Sequence, residues 1–183
     1  CIYCSRFVES TDHCFTNHDR IAELNLYDGK ADRYFSGSPV PLAEDLRTWS
    51  LGETEAISSV TYPRERPYYV ELSPEKMLPY ELETIEIDTC YNKIFTPEMV
   101  AGHWKMASQS LNSVILSQSM AIKIFGNAES AIGKHMTLMR RLNTSPESTP
   151  KTGGIVYTIQ AVMKDIPLNN SLDFMQNIDM LTV

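Results

Sequence analysis

Cysteine and histidine are the side chains of this sequence with the widest chemical range, and several stand near its start. Cys1 and Cys4 form a C-x-x-C pair, with His13 and Cys14 close behind. Thiolate and imidazole groups at short spacing are the usual ligands of tetrahedral zinc. A second spaced pair is missing, so a disulfide between two of these cysteines, or reduced thiols, explains the pattern better. We predict no metal and no cofactor, and the sequence leaves the pairing of these cysteines and Cys90 open.

Two glycines and a lysine give the sequence a superficial likeness to a phosphate-binding loop. The run is Gly126-x6-Gly133-Lys134, but its spacing is wrong and His135 stands where a P-loop has Ser or Thr. A glycine that ends a helix and a second glycine in a turn explain the run. The sequence also lacks H-E-x-x-H, G-x-S-x-G and the dinucleotide-binding fingerprint. We therefore predict no catalytic residue and no cofactor-binding residue.

Two weaker patterns involve acidic side chains. His18-Asp19 has the residue types of an acid–base pair, but adjacent residues of a strand point to opposite faces, so we predict a solvated pair. A cation site could be sought in one acidic run, made of Glu81, Glu83, Glu86 and Asp88. An EF-hand needs a glycine in mid-loop and a distal Glu, and this run meets neither spacing. A solvated strand face is the prediction for this run.

Composition limits the classes to which the protein can belong. The 183 residues are 43% hydrophobic and 21% charged, which suits one compact domain or two small lobes with a real core. The formal net charge of -7 disfavours binding to nucleic acid or to an anionic membrane surface. No apolar run approaches the roughly 20 residues that cross a bilayer. The sequence starts at Cys1, and we expect it to be an excised piece of a longer protein.

Periodicity and turn signals predict the elements that must position these residues. The predicted strands are Arg20–Tyr27, Ala56–Tyr62, Tyr68–Leu72, Leu82–Ile87, Val114–Leu116, His135–Leu138, Ile155–Met163 and an extended segment beginning at Leu172–Phe174. The predicted helices are Pro39–Trp49, one that starts at Thr96-Pro97-Glu98, and one that ends at Gly126. Turns are predicted at Asp28-Gly29, between Pro63 and Pro67, at Ala131–Lys134, over Arg140–Gly154 and at Asn169–Ser171. This order indicates an α+β fold with mostly antiparallel pairing.

The helix that ends at Gly126 has the clearest local signals. Ser117 or Ser119 can cap it by accepting a hydrogen bond from an unpaired backbone N–H. Its apolar stripe has helical spacing and consists of Met120, Ala121, Ile124 and Phe125. Gly126 can end the helix because glycine adopts the left-handed conformation at little cost.

Five segments in order carry a family resemblance. They are Val114–Ser117, Ala121–Gly126 with its final Phe125-Gly126, Ala131-Ile132-Gly133-Lys134, Tyr157–Pro167 with its Asp165 and Pro167, and Asn170–Phe174. Together they resemble the periplasmic core domain of MacB-like and FtsX-like ABC-transporter permeases. Softer matches lie at Asn17–Ile21 and at Ile87–Phe95. In this comparison Ser117, Phe125, Gly126, Gly133, Lys134, Asp165 and Pro167 are structural motif residues.

The resemblance implies two lobes outside the cytoplasmic membrane of a bacterium. A porter-like lobe would combine residues 15–90 with 165–183, and a smaller α/β lobe would be inserted at 91–164, after a linker at 1–14. The resemblance also implies that the chain stops before the first lobe is complete. Ala131 and Ala161 depart from the Pro and Gly that are frequent in the family. Ala161 suggests either that close backbone approach is not essential there or that this chain is divergent.

Function follows from the resemblance as a hypothesis. The domain would couple movement driven by a separate ABC ATPase subunit or domain to export, or to a periplasmic or outer-membrane partner. Flanking membrane helices absent from this chain would anchor it. Tyr68, Tyr69 and Trp104 are the candidate partner contacts, because Tyr and Trp combine a large rigid surface with a polar group. The alternatives are a stand-alone secreted ligand-binding or adhesive domain and a secreted hydrolase.

Overall fold

The computed structural model describes residues 13–24, 26–35, 41–49, 54–73, 75–138, 154–167 and 177–183. Its strands are β1 Leu26–Asp28, β2 Arg33–Phe35, β3 Arg64–Ser73, β4 Lys76–Glu86, β5 Met99–Gly102, β6 Ser113–Ser117, β7 His135–Leu138, β8 Ile155–Met163 and β9 Met180–Thr182. Its α-helices are α1 Pro41–Thr48, α2 Tyr91–Phe95, α3 Trp104–Gln109 and α4 Gln118–Phe125. Short 3-10 turns lie at His18–Arg20 and Glu129–Ala131. None of the helices in these ranges is long and apolar enough to cross a membrane.

Seven strands form the main sheet in the order β5-β8-β6-β9-β4-β3-β7. Strand β8 pairs with β6 along one edge and with both β5 and β7 along the other. Because β7 also pairs with β3, the sheet returns on itself and forms a closed ring from β8 to β7. The pairs β4–β9 and β6–β8 are parallel, and the other pairs among the described strands are antiparallel. The predicted α+β class with mostly antiparallel pairing is confirmed.

Alternation along the strands places apolar side chains in two separate cores. In β6, Val114 and Leu116 point into the first core, while Ile115 points into the second. Helix α4 covers the first core with its apolar stripe. The second core is covered by α2, by α3 and by Phe15, whose ring packs edge-on against Phe95. Burying both faces of the central strands explains why they are rich in apolar residues.

The sheet crosses the predicted boundary between the two lobes. Strands β3 and β4 come from residues 15–90, β9 comes from 165–183, and β5 to β8 come from 91–164. All of them pair in the same sheet and contribute to the same two cores. The two-lobed division at residue 90 is not confirmed and stays a prediction.

Several predicted elements are confirmed with small shifts. The predicted helix Pro39–Trp49 is α1, which begins at Pro41, and Ile155–Met163 is β8 with the predicted bounds. The turn at Asp28 is a hairpin between β1 and β2, in which the Asp28 carboxylate accepts hydrogen bonds from two backbone N–H groups that follow it. The predicted loop at Arg140–Gly154 lies outside the described residues apart from Gly154, and the segments at 169–174 lie wholly outside them.

Other predicted elements are wrong. The Pro63–Pro67 turn is instead the start of β3, in which Pro67 pairs with Glu81 of β4. Among the described residues, pairing of β3 with β7 begins one residue later, at Tyr68. The helix predicted to start at Thr96 is absent from this described stretch, because Thr96 ends α2 in the left-handed conformation with φ of 42° and β5 follows. Strand β9 was not predicted.

Two predicted strands near the start of the chain are also largely wrong. Most of Arg20–Tyr27 is not a strand. Its first residue ends the His18–Arg20 turn, in which the Arg20 N–H donates to the Asn17 carbonyl at 2.8 Å. The described residues from there to Leu24 are irregular, and β1 begins at Leu26. The segment Ala56–Tyr62 makes a single bridge, from Val60 to Ile87. Thr61 bonds to Glu86 of β4, with its N–H donating to the Glu86 carbonyl at 2.9 Å and its hydroxyl accepting from the Glu86 N–H at 2.8 Å. Ser58 and Ser59 bond instead to a carboxylate that is described below.

Candidate partner-binding surface

The family-motif residues converge on helix α4. The Ser117 hydroxyl accepts a hydrogen bond from the Met120 N–H at 3.4 Å. The sequence allowed either Ser117 or Ser119 as the cap of this helix, and the cap is Ser117. The Asp165 carboxylate accepts a second bond, from the Ser119 N–H at 3.0 Å. Residue Phe125 ends the helix half-buried, and Gly126 follows with φ of 85°, as predicted. Strand β8 and its exit thus position the start of this helix.

The Ala131–Lys134 turn docks on β8. The Gly133 N–H donates to the Ile159 carbonyl at 2.8 Å, and the Ile159 N–H donates to the Lys134 carbonyl at 2.9 Å. Ala131 is fully buried in the first core, while Pro167 lies exposed beyond the end of β8. These hydrogen bonds join the turn to β8, and the structural role of the motif residues stays a prediction.

Strands β5 and β8 approach each other closely at Gly102 and Ala161. A Cβ atom on Gly102 would lie 2.2 Å from the Gln160 carbonyl oxygen and 2.8 Å from the Ala161 Cα. The close approach therefore depends on the missing side chain of Gly102, while Ala161 keeps its own Cβ. The glycine that permits it stands on the opposite strand, where Gly102 pairs with Ala161.

The acidic run in β4 does not gather into one site. Asp88 is the most connected of these acids: its carboxylate accepts bonds from the Ser58 hydroxyl and the Ser59 N–H, each at 2.8 Å, and from the Cys90 N–H at 3.0 Å. It also pairs with the Arg47 guanidinium of α1. Within the described ranges, no group of His, Cys, Asp or Glu is arranged to hold a metal ion. Asp88 therefore links α1 and the 54–60 segment to the start of α2.

The N-terminal residues considered for zinc are only partly described. Cys1 and Cys4 lie outside the described residues, and Cys14 is exposed. The rings of His13 and His18 lie 4.4 Å apart, and both are exposed. His18 and Asp19 occupy a 3-10 turn instead of a strand.

Tyr68 is not a partner contact, because its side chain is completely buried in the first core. Within the described residues its hydroxyl has no hydrogen-bond partner. Burial raises the pKa of the Tyr68 phenol. The sequence-based assignment of Tyr68 to a partner surface is therefore wrong.

Trp104 is half-buried and begins helix α3, whereas Tyr69 lies in strand β3. Its ring stacks on that of Tyr91, with ring centroids 6.0 Å apart, at the edge of the second core. Tyr91 is fully buried, and burial raises the pKa of its phenol. Trp104 thus packs against the core and keeps part of its surface exposed, so its role as a partner contact stays a prediction.

Tyr69 stands in a row of apolar and small side chains that crosses four strands. It pairs with Pro79 on β4 and with Thr137 on β7, and Thr137 pairs with Val156 on β8. Directly paired residues share a face, and adjacent residues in a strand alternate, so this row faces away from the first core that holds Tyr68. Val156 is 50% exposed, and Met77, diagonal to the row, is 48% exposed.

Acidic residues flank this row on the same face. Glu71 pairs with Met77, Glu81 pairs with Pro67, and Glu65 pairs with Glu83. We call the whole surface the open face and define it by Glu65, Pro67, Tyr69, Glu71, Met77, Pro79, Glu81, Glu83, His135, Thr137, Val156 and Thr158. The sequence analysis named Tyr69 as a candidate partner contact but did not name Met77, Pro79 or Val156. Only the strand register brings these residues together with Tyr69.

Asp179 adds an unusual electrostatic feature beside the open face. Its carboxylate accepts a bond from the Glu83 N–H at 2.9 Å, and its own N–H donates to the Glu83 carbonyl at 2.9 Å. Burial raises the pKa of the Asp179 carboxyl, and the acids Asp165 and Glu65 add to that increase. The Glu83 bond and the Lys123 charge lower the pKa. Asp179 thus joins β9 to β4 through a partly desolvated carboxylate.

Comparison with known proteins identifies the fold. Neither a protein-family model nor a curated protein matches the chain. Among solved structures, a domain of a protein from Porphyromonas gingivalis that is assigned as a permease matches 82% of this chain at 22% identity and a TM-score of 0.58. The chain spans 54% of that domain.

Two further solved structures match at lower similarity. The periplasmic region of MacB from Actinobacillus actinomycetemcomitans matches at 17% identity and a TM-score of 0.47, covering 85% of this chain and 61% of its own. The extracellular domain of the noncanonical ABC-type transporter YknZ from Gram-positive bacteria matches at 15% identity and a TM-score of 0.44, covering 75% and 59%. The fold assignment rests on the first comparison: the chain has the fold of a domain of a protein assigned as a permease.

Proposed function

We propose that this chain is the extracytoplasmic domain of an ABC-transporter permease. The single observation that supports this most is the shared fold with the permease-assigned domain. The ordered motifs from Val114 to Pro167 add independent support, because they pack together around α4 in the described structure. In this proposal the domain has no catalytic site of its own.

Such a domain would act mechanically. ATP hydrolysis on a separate subunit or domain would change the conformation of the membrane helices that flank it, and the domain would transmit that change to a partner or a substrate. Coupling of this kind requires that the partner bind the two conformations with different affinity. The closed ring of strands suits this role, since a sheet joined at both edges moves as one unit.

The first test is the location of the domain in the parent protein. Ser130 is exposed, and Ser113 is fully buried. A Ser130→Cys variant, in a parent protein whose other cysteines are replaced, should react with a membrane-impermeant maleimide in cells whose cytoplasmic membrane is intact. Ser113→Cys is the matched control and should react only after denaturation. Labelling of Ser130→Cys only after lysis would place the domain in the cytoplasm and refute the proposal.

The second test is the link to an ATPase. Affinity purification of the tagged parent protein in mild detergent should recover an ABC ATPase in a constant ratio, unless the ATPase is part of the same chain. Removing this domain should leave ATP hydrolysis detectable and abolish its coupling to export. A parent protein without membrane segments and without an associated ATPase would favour a stand-alone secreted binding domain instead.

A further inference from the structure

We propose that the open face binds a cationic amphipathic segment of a partner protein, with Tyr69 as the central apolar contact. This inference rests on the proposed function, in which the domain acts through a partner. It adds the location of the contact and the chemistry of the segment that fits it.

The charge on the open face is of one sign. The acids Glu65, Glu71, Glu81 and Glu83 lie on both sides of the row that contains Tyr69. Of the twelve positions that define the face, none is Lys or Arg. A face with four carboxylates and neither Lys nor Arg presents a negative potential, and a partner with Lys or Arg would complement it.

The apolar part of the face defines the rest of the partner. Val156, Thr137, Tyr69 and Pro79 form a continuous cross-strand row, and Met77 extends it toward the hairpin end of β4. Half of the Val156 side chain and almost half of that of Met77 are accessible to solvent. A row of apolar side chains between acids matches a segment with one apolar stripe bordered by basic residues.

The same charges disfavour the other classes of ligand. Anionic lipid head groups and nucleic-acid phosphates would be repelled by the carboxylates around Tyr69. The remaining occupants are a second copy of this chain and the chain's own basic residues between β7 and β8, which include Arg140 and Arg141. Both are distinguished by the experiment below.

The test uses two synthetic peptides and the 183-residue chain. The first peptide is an amphipathic helix of Leu and Lys, and the second has the same Leu positions with Glu in place of Lys. Binding of each fluorescent peptide is followed by anisotropy. We expect the Lys peptide to bind, with affinity falling as salt increases because exposed charges are screened. Binding of both peptides with equal affinity would overturn the proposal.

Matched variants locate the binding. Glu71→Gln combined with Glu81→Gln should weaken binding of the Lys peptide by about 2- to 30-fold, as two exposed ion pairs are lost. Tyr69→Ala should weaken it by about tenfold, as expected for a central aromatic contact. The control pair Glu44→Gln with Glu129→Gln removes the same charge from exposed sites outside the open face and should change binding less than twofold. Equal weakening by the control pair would show attraction by net charge alone and would refute the site.

Two further outcomes would assign the face to another occupant. Self-association of the wild-type chain in sedimentation that Tyr69→Ala abolishes would make the occupant a second copy. Tighter peptide binding after Arg140→Gln with Arg141→Gln would make it the chain's own segment. Circular dichroism confirms that each variant is folded. The peptide test reports only on the open face, and the labelling of Ser130→Cys reports only on the location of the domain. Either test can therefore fail while the other succeeds.

Discussion

Replacing Gly102 with alanine tests the close approach of β5 and β8 directly, because Gly126 provides a matched control. Both glycines have positive φ, 70° at Gly102 and 85° at Gly126. An alanine in the left-handed conformation destabilises the folded state by about 1–2 kcal/mol. Alanine also has less conformational entropy than glycine in the unfolded chain, which offsets about 0.4–1 kcal/mol of this loss. For Gly126→Ala nothing else changes, since no atom lies within 4 Å of the added Cβ. We expect this control to lose about 1 kcal/mol.

The Gly102→Ala variant has an additional steric cost. Its Cβ would lie 2.2 Å from the Gln160 carbonyl oxygen and 2.8 Å from the Ala161 Cα, which are backbone atoms that cannot rotate away. Strand β5 must shift, and overpacking of this kind costs about 1–3 kcal/mol. The total expected loss is about 2–4 kcal/mol. Replacing Ala161 with glycine should not restore stability, because the clash is with backbone atoms.

The assay is urea unfolding followed by circular dichroism for both alanine variants under the same conditions. The free energy of unfolding should fall about 1–3 kcal/mol further for Gly102→Ala than for Gly126→Ala. Trp104, which follows β5 in the chain, provides a local fluorescence signal for displacement of that strand. Equal losses in the two variants would mean that β5 and β8 are not held at this distance, and the reasoning would be refuted.

Three further predictions concern buried or partly buried polar groups. Asp88→Ala should lower the free energy of unfolding by about 2–4 kcal/mol, because backbone donors lose a charged acceptor. Arg47→Ala should lower it by less than about 1 kcal/mol. A larger loss for Arg47→Ala than for Asp88→Ala in urea unfolding would contradict this. Tyr68→Phe should leave stability unchanged or raise it by up to about 1 kcal/mol, since it removes an unsatisfied buried hydroxyl; a lower thermal midpoint would argue against that view. Because the folded pKa of Asp179 is raised above its ordinary value of 3.8, its contribution to stability is present at low pH and is lost as pH rises through the folded pKa. Asp179→Asn, which keeps an oxygen for the Glu83 N–H, should therefore gain stability relative to wild type between about pH 4 and pH 7, measured by urea midpoints; a difference independent of pH would count against the assignment.

Elements with strong local signals could be predicted from the sequence. Helix α4 has a serine cap, an apolar stripe and the stop at Gly126, and each of these depends on residues within one or two turns. The β-branched and aromatic residues of Ile155–Met163 likewise predicted β8, and Pro41 marked the start of α1. These elements were predicted because short-range physics decides them.

Features that depend on distant residues could not be predicted. Strand β9 has three residues, and its pairing with β4 and β6 decides that it is a strand. Proline was taken as a sign of a turn at Pro67, although this residue lies in β3, one position before the described pairing with β7 begins. Tyr68 and Tyr69 have the same side chain and adjacent positions, and only the packing of the sheet decides which one faces solvent.

The position of β9 has a consequence for how the chain folds. This strand lies between β4 and β6 in the sheet, and its contacts with Thr84, Ile85 and Glu86 join residues that are 96 positions apart in the chain. Contacts of such high sequence separation slow folding, since a long loop must close before they form. During synthesis the β4 edge of the β3–β4 hairpin would stay unpaired until β9 emerges. A chaperone that shields exposed strand edges would therefore benefit this domain most before β9 is made.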